Sequence, residues 1–255
     1  MAAPLFRGVG VALATLFDEE GEVDTEGTAA LAAALVGDGV VAVVVAGSTG
    51  EAGALDGRER AVLTAAVRAA VPDAVPVITG TGAPSAHQAA RFTSAAVEAG
   101  ANGVLALSPP GSADLERYYT EVIAAAEGLP VLGYHYPAMS APGIAVDVLP
   151  GLADLGVVGV KDSSGDPARM LRALDDFAGD LYVGSGWLLS AAGQLGVTGA
   201  ILAVANVEAE LAIRAFSGDV EAQRALTPAN VRANGPGGVK AMLAERRGLS
   251  TRTRI

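Results

Sequence analysis

The chain has 255 residues, 51% of them hydrophobic, with 17 Lys+Arg against 28 Asp+Glu and no cysteine. The length suits a single α/β domain with one large core. A net charge of −11 without a basic cluster argues against a nucleic-acid partner, and the lack of cysteine excludes disulfides, thiol nucleophiles and thiolate metal sites.

The opening "MAAPLFRG" is not a basic stretch followed by an apolar one, so no signal peptide is expected. The longest apolar run, "VVAVVVA" at 40–46, is far short of the roughly 20 residues that span a bilayer, so no membrane role is expected and a cytoplasmic location is the default. Eight short β-branched runs follow one another: 9–15, 40–46, 75–80, 103–108, 130–135, 157–161, 181–185 and 199–204. Continuous apolar runs suit parallel strands covered on both faces. Helical patterns lie between them, among them 58–71, 86–100 and 168–177. Asp56 with Glu59 fits a capping box, Asp166-Pro167 fits an N-cap followed by proline, and Gly100 and Gly196 fit helix stops.

Eight strands alternating with helices predict a (β/α)8 TIM barrel. An open doubly wound sheet is the alternative, but "ATLFDEEGEVD" after the first run contains no glycine-rich dinucleotide turn. The expected organisation is a catalytic barrel over 1–217 and a short C-terminal helical extension over 218–255. Within the extension, "TPANVRANGPGG" reads as irregular, "VKAMLAERRG" as helical and "STRTRI" as a loose tail.

Barrel active sites lie at the C-terminal ends of the strands, and this rule selects candidates directly. Lys161 ends the sixth run, and Lys240 is the only other lysine in the chain. Period-2 alternation puts Val157, Gly159 and Lys161 on one face, with Gly159 leaving space below the lysine. Burial disfavours an ammonium, and a neutral amine is the species that condenses with a carbonyl. A structural pairing of Lys161 with Glu51 or Asp162 stays open at this point. Tyr134 ends the fifth run, where a phenol can shuttle protons or simply pack. His135 should face the other way and His87 should lie on the surface. In "GSTGE" (47–51), Gly47 and Gly50 let backbone N–H groups turn toward an anion, with the Ser48 and Thr49 hydroxyls beside them. "GSG" at 184–186 is a second anion site or a tight turn. No ligand spacing of histidines or carboxylates points to a metal.

Together, "GSTGE", "YHYP" (134–137), "GVKDSSGD", "GSG" and "GAILAVAN" (199–206), in that order, resemble the dihydrodipicolinate synthase / N-acetylneuraminate lyase family over about residues 9 to 210. The resemblance implies a pyruvate-dependent lyase or aldolase with no separate cofactor: Lys161 forms a Schiff base with a 2-oxo acid. It makes Tyr134 the proton relay, Ser48 its orienting partner, and Ser48 with Thr49 the grip on the pyruvate carboxylate. Gly47 and Gly184 lie beside the substrate, and Ile201 presents a backbone carbonyl. The family's usual tetramer implies a homodimer or homotetramer here, with too few residues between 217 and 238 for its three C-terminal helices.

Two departures bear on the substrate. Met139 stands where a synthase places the arginine that binds aspartate semialdehyde, and "LSPPGSAD" (107–114) lacks the tyrosine pair expected after the fourth strand. The resemblance therefore favours a 2-keto-3-deoxy sugar acid or related 2-oxo acid. The alternatives are a 4-hydroxy-tetrahydrodipicolinate synthase with a substituted site, a non-catalytic 2-oxo-acid-binding relative, or a phosphosugar barrel using "GSG".

Overall fold

The strands are β1 (Gly8–Ala12), β2 (Ala42–Val45), β3 (Val77–Gly80), β4 (Gly103–Leu107), β5 (Val131–His135), β6 (Val157–Asp162), β7 (Asp180–Val183) and β8 (Gly199–Leu202). All neighbours are parallel, and they close in sequence order, with Gly8 of β1 opposite Gly199 of β8. The computed structural model describes residues 3–111, 114–235 and 237–255. Ser112 and Ala113 of "LSPPGSAD", Pro236 of "TPANVRANGPGG", and Met1 and Ala2 lie outside the described residues.

Helices α1 (Thr25–Gly37), α2 (Gly57–Ala70), α3 (Ala86–Glu98), α4 (Leu115–Ala125), α5 (Leu149–Leu155), α6 (Pro167–Asp176), α7 (Leu189–Gln194) and α8 (Ala209–Phe216) alternate with the strands. Three more follow: α9 (Val220–Ala225), α10 (Thr227–Ala233) and α11 (Gly238–Arg247). The expected (β/α)8 barrel is therefore present.

Both strand faces are buried. Ala42, Val44, Ile78, Leu105 and Leu132 fill the barrel interior, while Val43, Val45, Val77, Val104 and Val131 meet the helices. This is why the strands read as unbroken apolar runs. Phe6, just before β1, stacks on Tyr182 at 4.6 Å, and the Tyr182 hydroxyl donates to the Phe6 carbonyl at 3.1 Å. The helix signals hold: Asp56 and Glu59 form a reciprocal capping box on α2, and Asp166 accepts from Ala168 and Arg169 N–H ahead of Pro167 on α6.

Four expectations need correction. Val157 does not share a face with Lys161, because the β5–β6 register slips between Val131↔Val157 and Leu132↔Gly159. Val158 is the extra residue, 42% exposed, and such a bulge flips the parity before it while leaving Gly159 and Lys161 facing inward. "TPANVRANGPGG" is not wholly irregular: its first seven residues are α10, with Pro228 in the first turn, where no N–H is needed. Three C-terminal helices do fit after residue 217, because they are only 6, 7 and 10 residues long. Ala222, Leu226, Ala229, Val239, Met242 and Leu243 join them to the main core. Finally, "STRTRI" is not loose: the Arg254 N–H donates to Glu51 Oε2 at 2.7 Å and its guanidinium reaches Glu59, Gly21 and Ala54.

Candidate active site

Tyr134, Lys161 and Tyr182 stand opposite one another on β5, β6 and β7. Lys161 is 4% exposed and its Nζ lies 4.3 Å from the centre of the Tyr134 ring. Gly184 makes room for it: a Cβ there would overlap Ser163 Oγ and lie 2.9 Å from Lys161 Cε. A Cβ at Gly159 would meet the Asp180 carbonyl at 2.8 Å and Leu132 at 2.9 Å rather than the lysine, so the space expected below Lys161 is taken up by strand packing.

Both carboxylates that might have neutralised Lys161 are engaged elsewhere. Asp162 pairs with Arg169 at 2.5 Å and Glu51 pairs with Lys240 at 2.5 Å. Among the described residues Lys161 makes no ion pair, so the structural-pairing alternative fails. Asp162 also accepts from Ser164 N–H and Oγ, at 2.8 and 2.6 Å, which fixes the turn that carries Ser163.

The Tyr134 hydroxyl accepts from Ser48 Oγ at 3.5 Å and from Ser163 Oγ at 3.4 Å. These contacts are at the long end of hydrogen bonding, and such contacts shorten when a substrate docks. The Tyr134 ring stacks on Tyr136 at 5.9 Å, and burial followed by the neighbouring Tyr134 raises the Tyr136 phenol above its usual range. Behind β5, Tyr119 donates to Ala106 O at 3.0 Å and receives the Tyr134 N–H at 3.4 Å, which holds that strand end in place.

A cleft of about 860 Å³ opens above these residues. Ser48, Thr49, Tyr134, Lys161 and Gly184 line it together, so five of the seven predicted residues meet in one space. The other two lie off it. Gly47 borders an adjoining hollow of about 400 Å³, and Ile201 is fully buried in the barrel interior. The loop geometry differs from expectation at one point: the left-handed residues around "GSTGE" are Ala46 (φ 51°) and Glu51 (φ 57°), not the two glycines. Gly80 admits this turn, because a Cβ there would overlap the Ala46 carbonyl. In "GSG" the turn starts at Gly186, whose carbonyl accepts from Gln223 and Asn230, each at 2.9 Å, while Gly184 and Ser185 line the cleft. His135 faces the other way, as expected, and accepts the Ile144 N–H at 2.9 Å; His87 is exposed.

Sequence reasoning missed Ser163, although its place two residues beyond Lys161 puts it on the same face. It also missed Trp187, Asn230 and Lys240, which line the cleft. No group of three or more potential metal-ligating side chains occurs among the described residues.

The family model described as "Dihydrodipicolinate synthetase family" matches residues 5–227. The chain belongs to that family. Its members are pyruvate-dependent lyases and synthases, and the chain is an enzyme of this class. A DapA-like lyase of Halobacterium salinarum is 36% identical, over 94% of this chain and 84% of the relative. A 4-hydroxy-tetrahydrodipicolinate synthase of Dechloromonas aromatica is 34% identical, over 86% of this chain and 79% of the relative. Among solved structures, YagE of E. coli K12 in complex with pyruvate superposes with a TM-score of 0.88 at 25% identity, covering 98% of this chain and 91% of YagE. No described helix of this family member is long and apolar enough to cross a membrane.

Proposed function

We propose that the protein is a Schiff-base lyase that cleaves a 2-keto-3-deoxy sugar acid, or a related 2-oxo acid, to pyruvate and an aldehyde, with Lys161 as the amine. One observation carries this reading: Lys161 is buried at the barrel mouth, without an ion-pair partner, against the ring of a tyrosine that faces the same cleft. Lys161 Nζ adds to C2 of the oxo acid, and the Tyr134 hydroxyl gives its proton to the carbinolamine oxygen, which leaves as water to form the protonated imine. In cleavage, the Tyr134 oxygen, now without its proton, takes the proton from the C4 hydroxyl and the C3–C4 bond breaks. The electron pair moves into the imine to give an enamine and release the aldehyde. Protonation at C3, with Tyr134 as the donor, and attack of water at C2 then return pyruvate and the free amine. Ser48 and Ser163 orient the phenol. Ser48 and Thr49 with their N–H groups receive the carboxylate, and Gly184 leaves room for the imine. Gly47 shapes the turn, and Ile201, which lies off the cleft, takes no part. No other cofactor is required.

Charge in the cleft supports a neutral, hydroxylated aldehyde. Its basic lining side chains are Lys161, which is taken up by the imine, and Lys240, which is held by Glu51. Met139, where an arginine would serve aspartate semialdehyde, is 53% exposed at the rim. Arg60, in the adjoining hollow, is committed to the carbonyls of Ala52, Gly80 and Gly82 and packs on Phe92. A thioether cannot replace a bidentate guanidinium. Ser163, Ser164, Ser185, Asn230 and Asn234 offer hydroxyls and amides for a polyol chain instead. Pyruvate release from 2-keto-3-deoxygluconate, compared with condensation of pyruvate and aspartate semialdehyde, tests the reading. Faster turnover in the second assay would make the chain a synthase, and turnover in neither assay with no trapped imine would make it a binding protein.

A further inference from the structure

We infer that the C-terminal tail, acting through Glu51, positions the loop that receives the substrate carboxylate; the inference rests on the Schiff-base reading above. Glu51 is the last residue of "GSTGE", two positions after Thr49, and holds a left-handed backbone although it is not glycine. Such a conformation in a residue with a side chain persists only where the surroundings over-determine it. Here the surroundings are distant in sequence. Glu51 Oε1 accepts from Lys240 Nζ of α11 at 2.5 Å, and Glu51 Oε2 accepts from the Arg254 N–H at 2.7 Å.

The same lysine ties the tail a second time, donating to the Arg252 carbonyl at 2.6 Å. Lys240 Nζ and the Arg254 guanidinium both sit on the Phe17 ring, at 4.2 and 4.7 Å. Arg254 also bonds the Ala54 carbonyl and the Glu59 carboxylate, spanning the start of α2. Burial lowers the Lys240 ammonium below its usual range, and the bond to Glu51 opposes that shift. The assembly is thus a buried carboxylate held from two sides by residues about 200 positions away, at the base of the Ser48–Thr49 turn. Glu51, Lys240 and Thr253 all line the cleft, so the clasp reaches the substrate space itself.

The clasp works on the loop rather than on the reacting atoms, so its signature is in saturation and not in the final extent of reaction. Pyruvate is the probe. Reductive trapping at Lys161 is measured against pyruvate concentration for the full chain, a chain ending at Ser250, Arg254→Ala and Arg254→Pro. Amide exchange of residues 47–51 is followed in each. Proline removes the N–H that Glu51 accepts, whereas alanine keeps it. The truncated chain and Arg254→Pro should need about tenfold more pyruvate for half-saturation, the equivalent of about 1.4 kcal/mol and one charge-assisted hydrogen bond. Their trapped fraction at saturation should match the full chain, with faster exchange at 48–51; Arg254→Ala should fall in between. Unchanged half-saturation in the truncated chain overturns the positioning role, whether or not exchange quickens. If the full chain traps no pyruvate, the Schiff-base reading fails and takes the positioning role with it. Exchange at 48–51 then still decides whether the tail holds the loop.

Discussion

Replacing Gly184 with alanine should disable the chemistry while leaving the fold nearly intact. The added methyl would overlap Ser163 Oγ and stand 2.9 Å from Lys161 Cε, where ordinary contact begins at 3.4 Å. Ser163 Oγ and Lys161 Cε belong to side chains that can yield, but Ser163 Cβ, at 3.0 Å, must shift with its backbone by a few tenths of an ångström, so the cost to stability is about 1–2 kcal/mol. Their yielding is itself the damage. Ser163 must swing away from the Tyr134 hydroxyl, and Lys161 Cε must move by at least about 0.5 Å, carrying the amine with it. A misplacement of about 1 Å in a reacting group costs on the order of 100-fold in rate, so a 10- to 100-fold loss is expected. The assay is the initial rate of reductive trapping with pyruvate, read beside a thermal melt of the same sample. A variant that traps at half the parental rate or better would refute the placement of Lys161 against Gly184.

The two lysines should respond in opposite senses. Lys161→Met should abolish trapping with no loss of thermal stability, since it replaces a buried amine that makes no ion pair with an apolar side chain of similar length. Lys240→Met strands the Glu51 carboxylate in the interior, so stability should fall by about 3–5 kcal/mol and the melting temperature by roughly 10 °C. Tyr134→Phe keeps the ring against Lys161 and its stack on Tyr136 but removes the proton carrier; turnover should drop by about 100-fold or more while the melt is unchanged. His135 predicts a pH effect. Burial, and then the Arg169 guanidinium, hold its pKa below the usual 6.5 against the pull of Asp162. As pH falls through 6.5 the unfolded chain therefore takes up the proton first and stability declines. His135→Asn, which can still accept the Ile144 N–H, should show a smaller fall in melting temperature between about pH 7.5 and 5.5 than the parent.

The barrel was legible because each strand is buried on both faces, so the apolar runs stand out without any alternation to decode. The ends of β5 and β6 were legible for the same reason: Tyr134 and Lys161 are the residues at which those runs meet polar sequence. What stayed hidden depends on tertiary geometry. The bulge at Val158 is invisible in a row of valines, since either parity reads the same. Helix α10 begins with Thr-Pro and ends among Asn and Gly, which locally favour turns, and Ala229 and Asn230 are buried only because the fold places them against the core. The tail has no apolar pattern, and its anchors on Glu51, Glu59 and Gly21 lie some 200 residues upstream. The Glu51–Lys240 pair settles the role of the second lysine, which no spacing in the sequence could have paired.

Borohydride reduction in the presence of pyruvate tests the central claim most directly, and a chain with two lysines makes the result unambiguous. An amine that condenses with pyruvate and is then reduced gains about 72 Da. The account predicts one such addition, on the peptide containing Lys161, with Lys240 unmodified because Glu51 holds it. An addition on Lys240 alone, or none at saturating pyruvate, would contradict it.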